Sequence, residues 1–142
     1  MRAWPVIALA ILAGCSTPPA KPPPPVTWHC TRVIDGDTIV AERSDRPGEP
    51  EHIRLYGIDA PEHNLPGGPE ATAEMRILAD GKQINLISHG KDKYGRLLDE
   101  VSVDGQDLSQ TMLKKGLAVP YYGGKRDSKQ VSETVEAGLT HG

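Results

Sequence analysis

The 142-residue sequence predicts a small α+β domain built on a twisted or closed sheet, behind an N-terminal stretch that lies outside it. Two observations predict it. Five short runs rich in β-branched and apolar residues are punctuated by Asp-Gly and Gly turns, and helical patterns are interspersed among them. No internal repeat is present, and at this length the chain can build only one core.

The first strand spans Trp28 to Ile34, and Asp35-Gly36 breaks it before Thr38-Ile39-Val40. Asp-Gly suits a tight two-residue connection, so the two runs read as a hairpin. A polar loop from Ser44 to Pro50 leads to a third strand around His52 to Ile58, after which Pro61 and Pro66-Gly67-Gly68 mark irregular chain. A helix is predicted from Pro69, a residue suited to the first helical position, through Ala79 to a stop at Gly81. Ala71, Met75 and Leu78 share its buried stripe. Gln83–Ile87 and Leu97–Val103 read as two further strands, joined by the charged turn through His89-Gly90-Lys91-Asp92, and Asp104-Gly105 closes the sheet pattern. Asp107, with Gln110 three positions on, predicts a capped helix from Leu108 to Lys115 that Gly116 ends. A weaker helix is expected between Ser128 and Ala137, with order fading over residues 132–142.

Ahead of the domain, Met1-Arg2 is a minimal basic start and Ala3 to Ala13 is apolar apart from Pro5. The stretch is too short to span a bilayer. Leu12-Ala13-Gly14-Cys15 resembles a bacterial lipobox, which implies that residues 1–14 are a signal peptide removed before Cys15 and that Cys15 is acylated. A plain cleaved signal and an uncleaved apolar anchor are the alternatives. Two or three acyl chains hold firmly, since each buried CH₂ contributes roughly 0.8 kcal/mol. Ser16, where an Asp would favour the inner membrane, implies the outer membrane in an organism that has one. The proline-rich remainder of residues 15–26 makes neither helix nor ladder. In polyproline II geometry it is a spacer holding the domain roughly 30 Å from the lipid. An acylated Cys15 leaves Cys30 without a partner, so the domain is expected to rely on packing.

The formal net charge of −3 argues against a general electrostatic grip on nucleic acid. Positive charge is local: Lys91, Lys93 and Arg96; Lys114-Lys115; and Lys125, Arg126 and Lys129. Each run reads equally well as a solvated face. The five histidines match no zinc-site spacing.

Three short runs carry chemistry: Asp35-Gly36-Asp37-Thr38, Arg54-Leu55-Tyr56-Gly57-Ile58-Asp59-Ala60-Pro61-Glu62 and Lys93-Tyr94-Gly95-Arg96. Together they supply carboxylates for a hard cation and guanidinium groups for a phosphate, the inventory of a metal-assisted phosphodiester hydrolase. Singly each is weak. Asp-Gly is a common turn pair, Arg54 reads as a cross-strand partner, and Glu62 reads as a solvated loop acid. Strand alternation adds a constraint, because Arg54 and Asp59 are five positions apart and a regular strand sends them to opposite faces. If both serve one site the strand must break, and Gly57 is the natural place.

In this order and spacing the three motifs, with Gly116-Leu117-Ala118 after a short helix, resemble the staphylococcal nuclease family over about Thr27 to Tyr122. The resemblance implies an OB-type five-stranded β-barrel with two or three packed helices. It implies calcium-dependent hydrolysis of DNA and RNA, a preference for single-stranded or open regions, and 3′-phosphate products. Carried across by motif, Asp37 and Asp59 are the side-chain calcium ligands and the Ala60 carbonyl another oxygen ligand. Glu62 activates the attacking water, and Arg54 and Arg96 hold the scissile phosphate. Lys93 and Tyr94 lie near a nucleotide phosphate. Tyr122, with Tyr121 as the alternative, stacks on a base. Asp35 is a turn or neighbouring carboxylate rather than a ligand.

The expected whole is a monomeric, calcium-dependent nuclease held by lipid on a bacterial membrane outside the cytoplasm. The competing readings are a catalytically silent OB-type module that binds nucleic acid and a purely structural envelope lipoprotein.

Overall fold

The computed structural model describes residues 2–141. Residues 2–25 are exposed and carry no helix or strand. Among the described residues no helix is long and apolar enough to cross a membrane.

The domain runs β1 (Trp28–Asp35), β2 (Thr38–Arg43), β3 (Glu51–Leu55), β4 (Gly57–Asp59), α1 (Gly68–Ala79), β5 (Gln83–Lys91), β6 (Leu97–Val103), β7 (Gln106–Asp107), α2 (Leu108–Lys114), β8 (Val119–Tyr121) and α3 (Ser128–His141). The sheet order is β3-β2-β1-β5-β6-β7, and β3 also pairs in parallel with β6. That second pairing closes β1, β2, β3, β6 and β5 into a five-stranded barrel, which leaves these strands no long free edge. The expected OB-type α+β barrel is therefore the fold observed, with three helices packed on it. A separate two-stranded ribbon, β4 with β8, sits beside it.

The apolar positions explain the closure. Ile39, Ile53, Leu55, Val101, Leu108, Met75 and Met112 are fully buried in one cluster with Ile58 and Ala71. Each large side chain taken from water contributes roughly 1.5–3 kcal/mol. α1 presents Ala71, Thr72, Met75 and Ala79 to that core, close to the predicted stripe, with Leu78 partly buried beside it. α2 starts as predicted, with Asp107 Oδ1 accepting the Gln110 N–H at 2.8 Å. Buried Cys30 and exposed Cys15 are both free thiols.

Beside the unpredicted short strands β7 and β8, the structure departs from the sequence reading in three places. The third strand, expected from His52 to Ile58, is two strands separated at Tyr56. β5 continues past Ile87 to Lys91. α3 runs on to His141, past the expected end at Ala137. Val131, Ser132 and Val135 anchor it, and Ser132 Oγ donates to the Pro66 carbonyl at 2.5 Å.

Candidate active site

The site begins at the β1–β2 turn. A Cβ on Gly36 would come within 2.8 Å of the Cβ atoms of Ala60 and Ala71, so only glycine lets this turn press onto the end of β4 and onto α1. Asp37, the next residue, is thereby set against Ala60, whose N–H donates to Asp37 Oδ2 at 2.8 Å. Thr38 Oγ1 donates to Asp37 Oδ1 at 2.9 Å.

Across the sheet Thr38 pairs with Arg54 in β3. Arg54 is buried, and its Nη2 lies 3.3 Å from Asp37 Oδ2 and 3.3 Å from Asp59 Oδ1. Its Nη1 donates to the Leu55 carbonyl at 2.9 Å, which fixes the fork. Asp59 reaches the same face because the strand breaks: Gly57 takes φ 86°, a left-handed conformation open chiefly to glycine. The alternation resets there, as the shared site requires.

Burial and like charge act on the carboxylates together. Burial works against ionised Asp37, but the Arg54 charge and the hydrogen bonds from Ala60 and Thr38 hold it below the usual carboxylate range. Asp35 is pushed up to about 7, by burial first and then by the neighbouring Asp37 charge. Burial also raises Asp59; Arg126 opposes this and Asp37 adds to it.

Arg126 is the functional candidate that the sequence did not single out. From the loop between β8 and α3 its Nε lies 2.9 Å from both oxygens of Asp59. Its Nη2 donates to the Ala60 carbonyl at 3.3 Å and its Nη1 to Glu62 Oε1 at 3.2 Å. Its partners lie 64 to 67 positions away in the chain, so no local pattern marks it. The only signal was membership of the Lys125-Arg126-Lys129 charge run.

Asp37, Arg54, Asp59 and Ala60 are thus in direct contact, and Glu62 joins them through Arg126. Lys93, Tyr94, Arg96, Tyr121 and Tyr122 meet Arg54 and Arg126 around one open cavity of about 660 Å³. The β5–β6 turn that carries Arg96 is organised by Asp92. One of its oxygens accepts the Tyr94 and Arg96 N–H groups at 2.9 and 3.0 Å, and the other accepts Arg96 Nε at 2.6 Å. The Arg96 guanidinium lies 5.4 Å from the Tyr94 ring centroid. Also at this cavity Tyr122 meets Tyr56 edge-on at 5.5 Å, and Tyr56 stacks on His89 at 3.7 Å. Tyr94 and Tyr122 are 72% and 70% exposed, so both keep area for a flat ligand. Cys15 lies in the exposed N-terminal stretch, away from the domain's strands and helices.

The donor set fits a hard cation. Asp59, the Ala60 carbonyl and Glu62 already converge on one positive group, the Arg126 guanidinium, with Asp37 beside them. All these donors are oxygens, which suits calcium-like ions. Among the described residues no group of three or more His, Cys, Asp or Glu side chains is placed to hold a metal ion. The oxygens gathered here are those of Asp37, Asp59 and Glu62 and the Ala60 carbonyl.

This is an OB-type barrel protein bearing an acidic and arginine-rich site on its rim. Residues 52–138 match the family described as staphylococcal nuclease homologue, and the chain belongs to that family. It is 41% identical over 94 residues to the staphylococcal-like nuclease CAN1 of Arabidopsis thaliana, covering 66% of this chain and 29% of that protein. It is 38% identical over 91 residues to an uncharacterized endonuclease of Escherichia coli, covering 63% of this chain and 58% of the relative. It is 32% identical over 100 residues to the thermonuclease of Staphylococcus hyicus, covering 65% of this chain and 57% of the relative. The chain therefore spans less than two thirds of the length of each of these relatives.

Proposed function

We propose that this protein is a calcium-dependent nuclease that hydrolyses phosphodiester bonds of DNA and RNA, prefers single-stranded or open regions, and leaves 3′-phosphates. The observation that carries the reading is the meeting of Asp37 and Asp59 on one Arg54 nitrogen, at 3.3 Å each, across a strand that had to break to allow it.

Asp37, Asp59 and the Ala60 carbonyl would hold the cation. When bound, calcium polarises the phosphate and offsets its charge. Arg54 and Arg96 neutralise charge developing on the phosphate, and each presents a fork that lysine lacks. Arg54 is pre-aimed by its carbonyl and carboxylate partners, so little reorganisation is needed on reaction. Glu62, whose side chain is 44% exposed, takes a proton from the attacking water. Lys93 adds local charge for the backbone. Tyr94 and Tyr122 offer faces for bases, a contact worth ~1–3 kcal/mol per base and indifferent to base identity, which supports a nonspecific enzyme favouring unpaired strands.

The protein acts as a monomer outside the cytoplasm, held on a bacterial membrane through an acylated Cys15 and the proline-rich spacer. The Leu-Ala-Gly-Cys run supports this placement, as does the hazard of a nonspecific nuclease inside a cell. Metabolic labelling with a palmitate analogue tests it: the natural chain takes up label and Cys15→Ser takes up none.

A silent OB-type binder is the second reading, favoured by the exposed tyrosines that binding alone would use. A calcium-titrated digest of end-labelled single- and double-stranded DNA and RNA separates the two. Cleavage that follows calcium, stops with chelator and leaves 3′-phosphate ends supports the enzyme; tight binding with intact strands at every calcium concentration supports the binder.

A further inference from the structure

Arg126 occupies the oxygens that the calcium reading assigns to the metal. Its Nε bridges both oxygens of Asp59 at 2.9 Å and its Nη2 takes the Ala60 carbonyl at 3.3 Å, while its Nη1 holds Glu62 Oε1 at 3.2 Å. Asp59 is 1% exposed and the Arg126 side chain 35% exposed, so the guanidinium reaches a buried carboxylate from the solvent side. Among the described residues the other cation beside Asp37 and Asp59 is Arg54, and Arg126 adds a second positive group that compensates the pair.

The loop that carries Arg126 turns on two glycines. Gly123 and Gly124 take φ 114° and 102°, which few other residues tolerate. Asp127 Oδ1 accepts the Gln130 N–H at 3.1 Å at the start of α3, and the Tyr121 hydroxyl donates to the Gly124 carbonyl at 2.8 Å, so Arg126 sits between two anchored points. Arg126 also lines the cavity shared by Arg54, Arg96 and the tyrosines.

We propose that Arg126 is a resident competitor for the cation seat: a divalent ion enters by displacing its guanidinium from Asp59 and Ala60, and the released guanidinium turns to the phosphate in the adjoining cavity. This inference rests on the calcium reading of the site. Two cations cannot both use the Asp59 oxygens and the Ala60 carbonyl without strong mutual repulsion at close range. Metal affinity is therefore lowered by the contacts that must be given up. Substrate phosphate, by accepting the released arginine, raises metal affinity, and by linkage the metal raises phosphate affinity to the same degree.

The test is calcium binding itself. Isothermal titration of the full-length chain in detergent, at low salt and a pH near 8, is compared with Arg126→Gln and Arg126→Lys. Arg126→Gln is expected to bind calcium roughly tenfold more tightly. Arg126→Lys, which keeps the charge and loses the fork, is expected to fall between. A non-hydrolysable dinucleotide phosphorothioate is expected to tighten calcium binding more in the natural chain than in Arg126→Gln. In parallel, Arg126→Gln is expected to unfold at a lower temperature than the natural chain in chelator and to recover that difference in saturating calcium. Should Arg126→Gln misfold, Arg126→Lys alone decides. Equal or weaker calcium affinity in the folded variants overturns the competitor role while leaving calcium dependence standing. Absence of calcium binding by all three proteins overturns both.

Discussion

Arg54 and Asp59, five positions apart in sequence, lie side by side in space, with Nη2 3.3 Å from Oδ1. Regular pleating forbids this, and the departure is localised at Tyr56 and Gly57, between β3 and β4. The broken segment pairs with β8 instead of continuing in the barrel, and that pairing brings Tyr121 opposite Gly57.

Gly57→Ala therefore damages both the fold and the site. A Cβ there sits 3.3 Å from the Tyr122 ring on a backbone at φ 86°. A non-glycine residue in that conformation costs on the order of 1–3 kcal/mol. The urea midpoint is expected to fall accordingly, and activity to fall further than stability alone explains, because Arg54 and Asp59 lose register. An unchanged midpoint would show that the break does not depend on glycine.

Asp35 gives the fold a pH signature. Its pKa is pushed from 3.8 up to about 7, so the folded state keeps a proton that the unfolded chain releases. For a group raised on folding, the stabilisation is complete below the unfolded value and is lost as pH rises through the folded value. Stability in chelator is expected to drop by on the order of 1–3 kcal/mol between a pH near 4 and one near 8. Asp37 and Asp92 are shifted down, so their contribution is lost only at more acid pH and does not overlap this window. Asp35→Asn, neutral throughout, should flatten the slope; an unaltered slope would assign it to the other carboxylates that burial raises, Asp59 and Asp99.

Cys30 is a core residue and not a reactive thiol. It is 1% exposed, and burial pushes its pKa up to about 11. In a Cys15→Ser chain, a chromogenic disulfide reagent near pH 8 should release no colour until denaturant is added. Rapid stoichiometric reaction of the native protein would contradict the packing described.

The barrel was legible because its signals are local. Asp-Gly punctuates the first hairpin, Pro69 opens α1, and Asp107 with Gln110 opens α2. The break at Gly57 was legible as a condition, since two residues assigned to one face had the wrong spacing for it. The β4–β8 ribbon was not, because three-residue strands leave no period to read and their pairing joins Gly57 to Tyr121 across most of the domain. The extension of β5 to Lys91 hides behind His89-Gly90, which reads as a turn. Arg126 was hidden most completely. Its run looks like a solvated face, and only the fold shows that it reaches back to Asp59.

The most direct test compares digestion of labelled single-stranded DNA by the natural chain in calcium, by the same chain in chelator, by Glu62→Gln and by Arg96→Ala. The account predicts cleavage in the first sample alone, with the rate reduced about 10²- to 10⁴-fold by loss of the base and about 10³- to 10⁵-fold by loss of the arginine. Equal digestion by all four samples would contradict it.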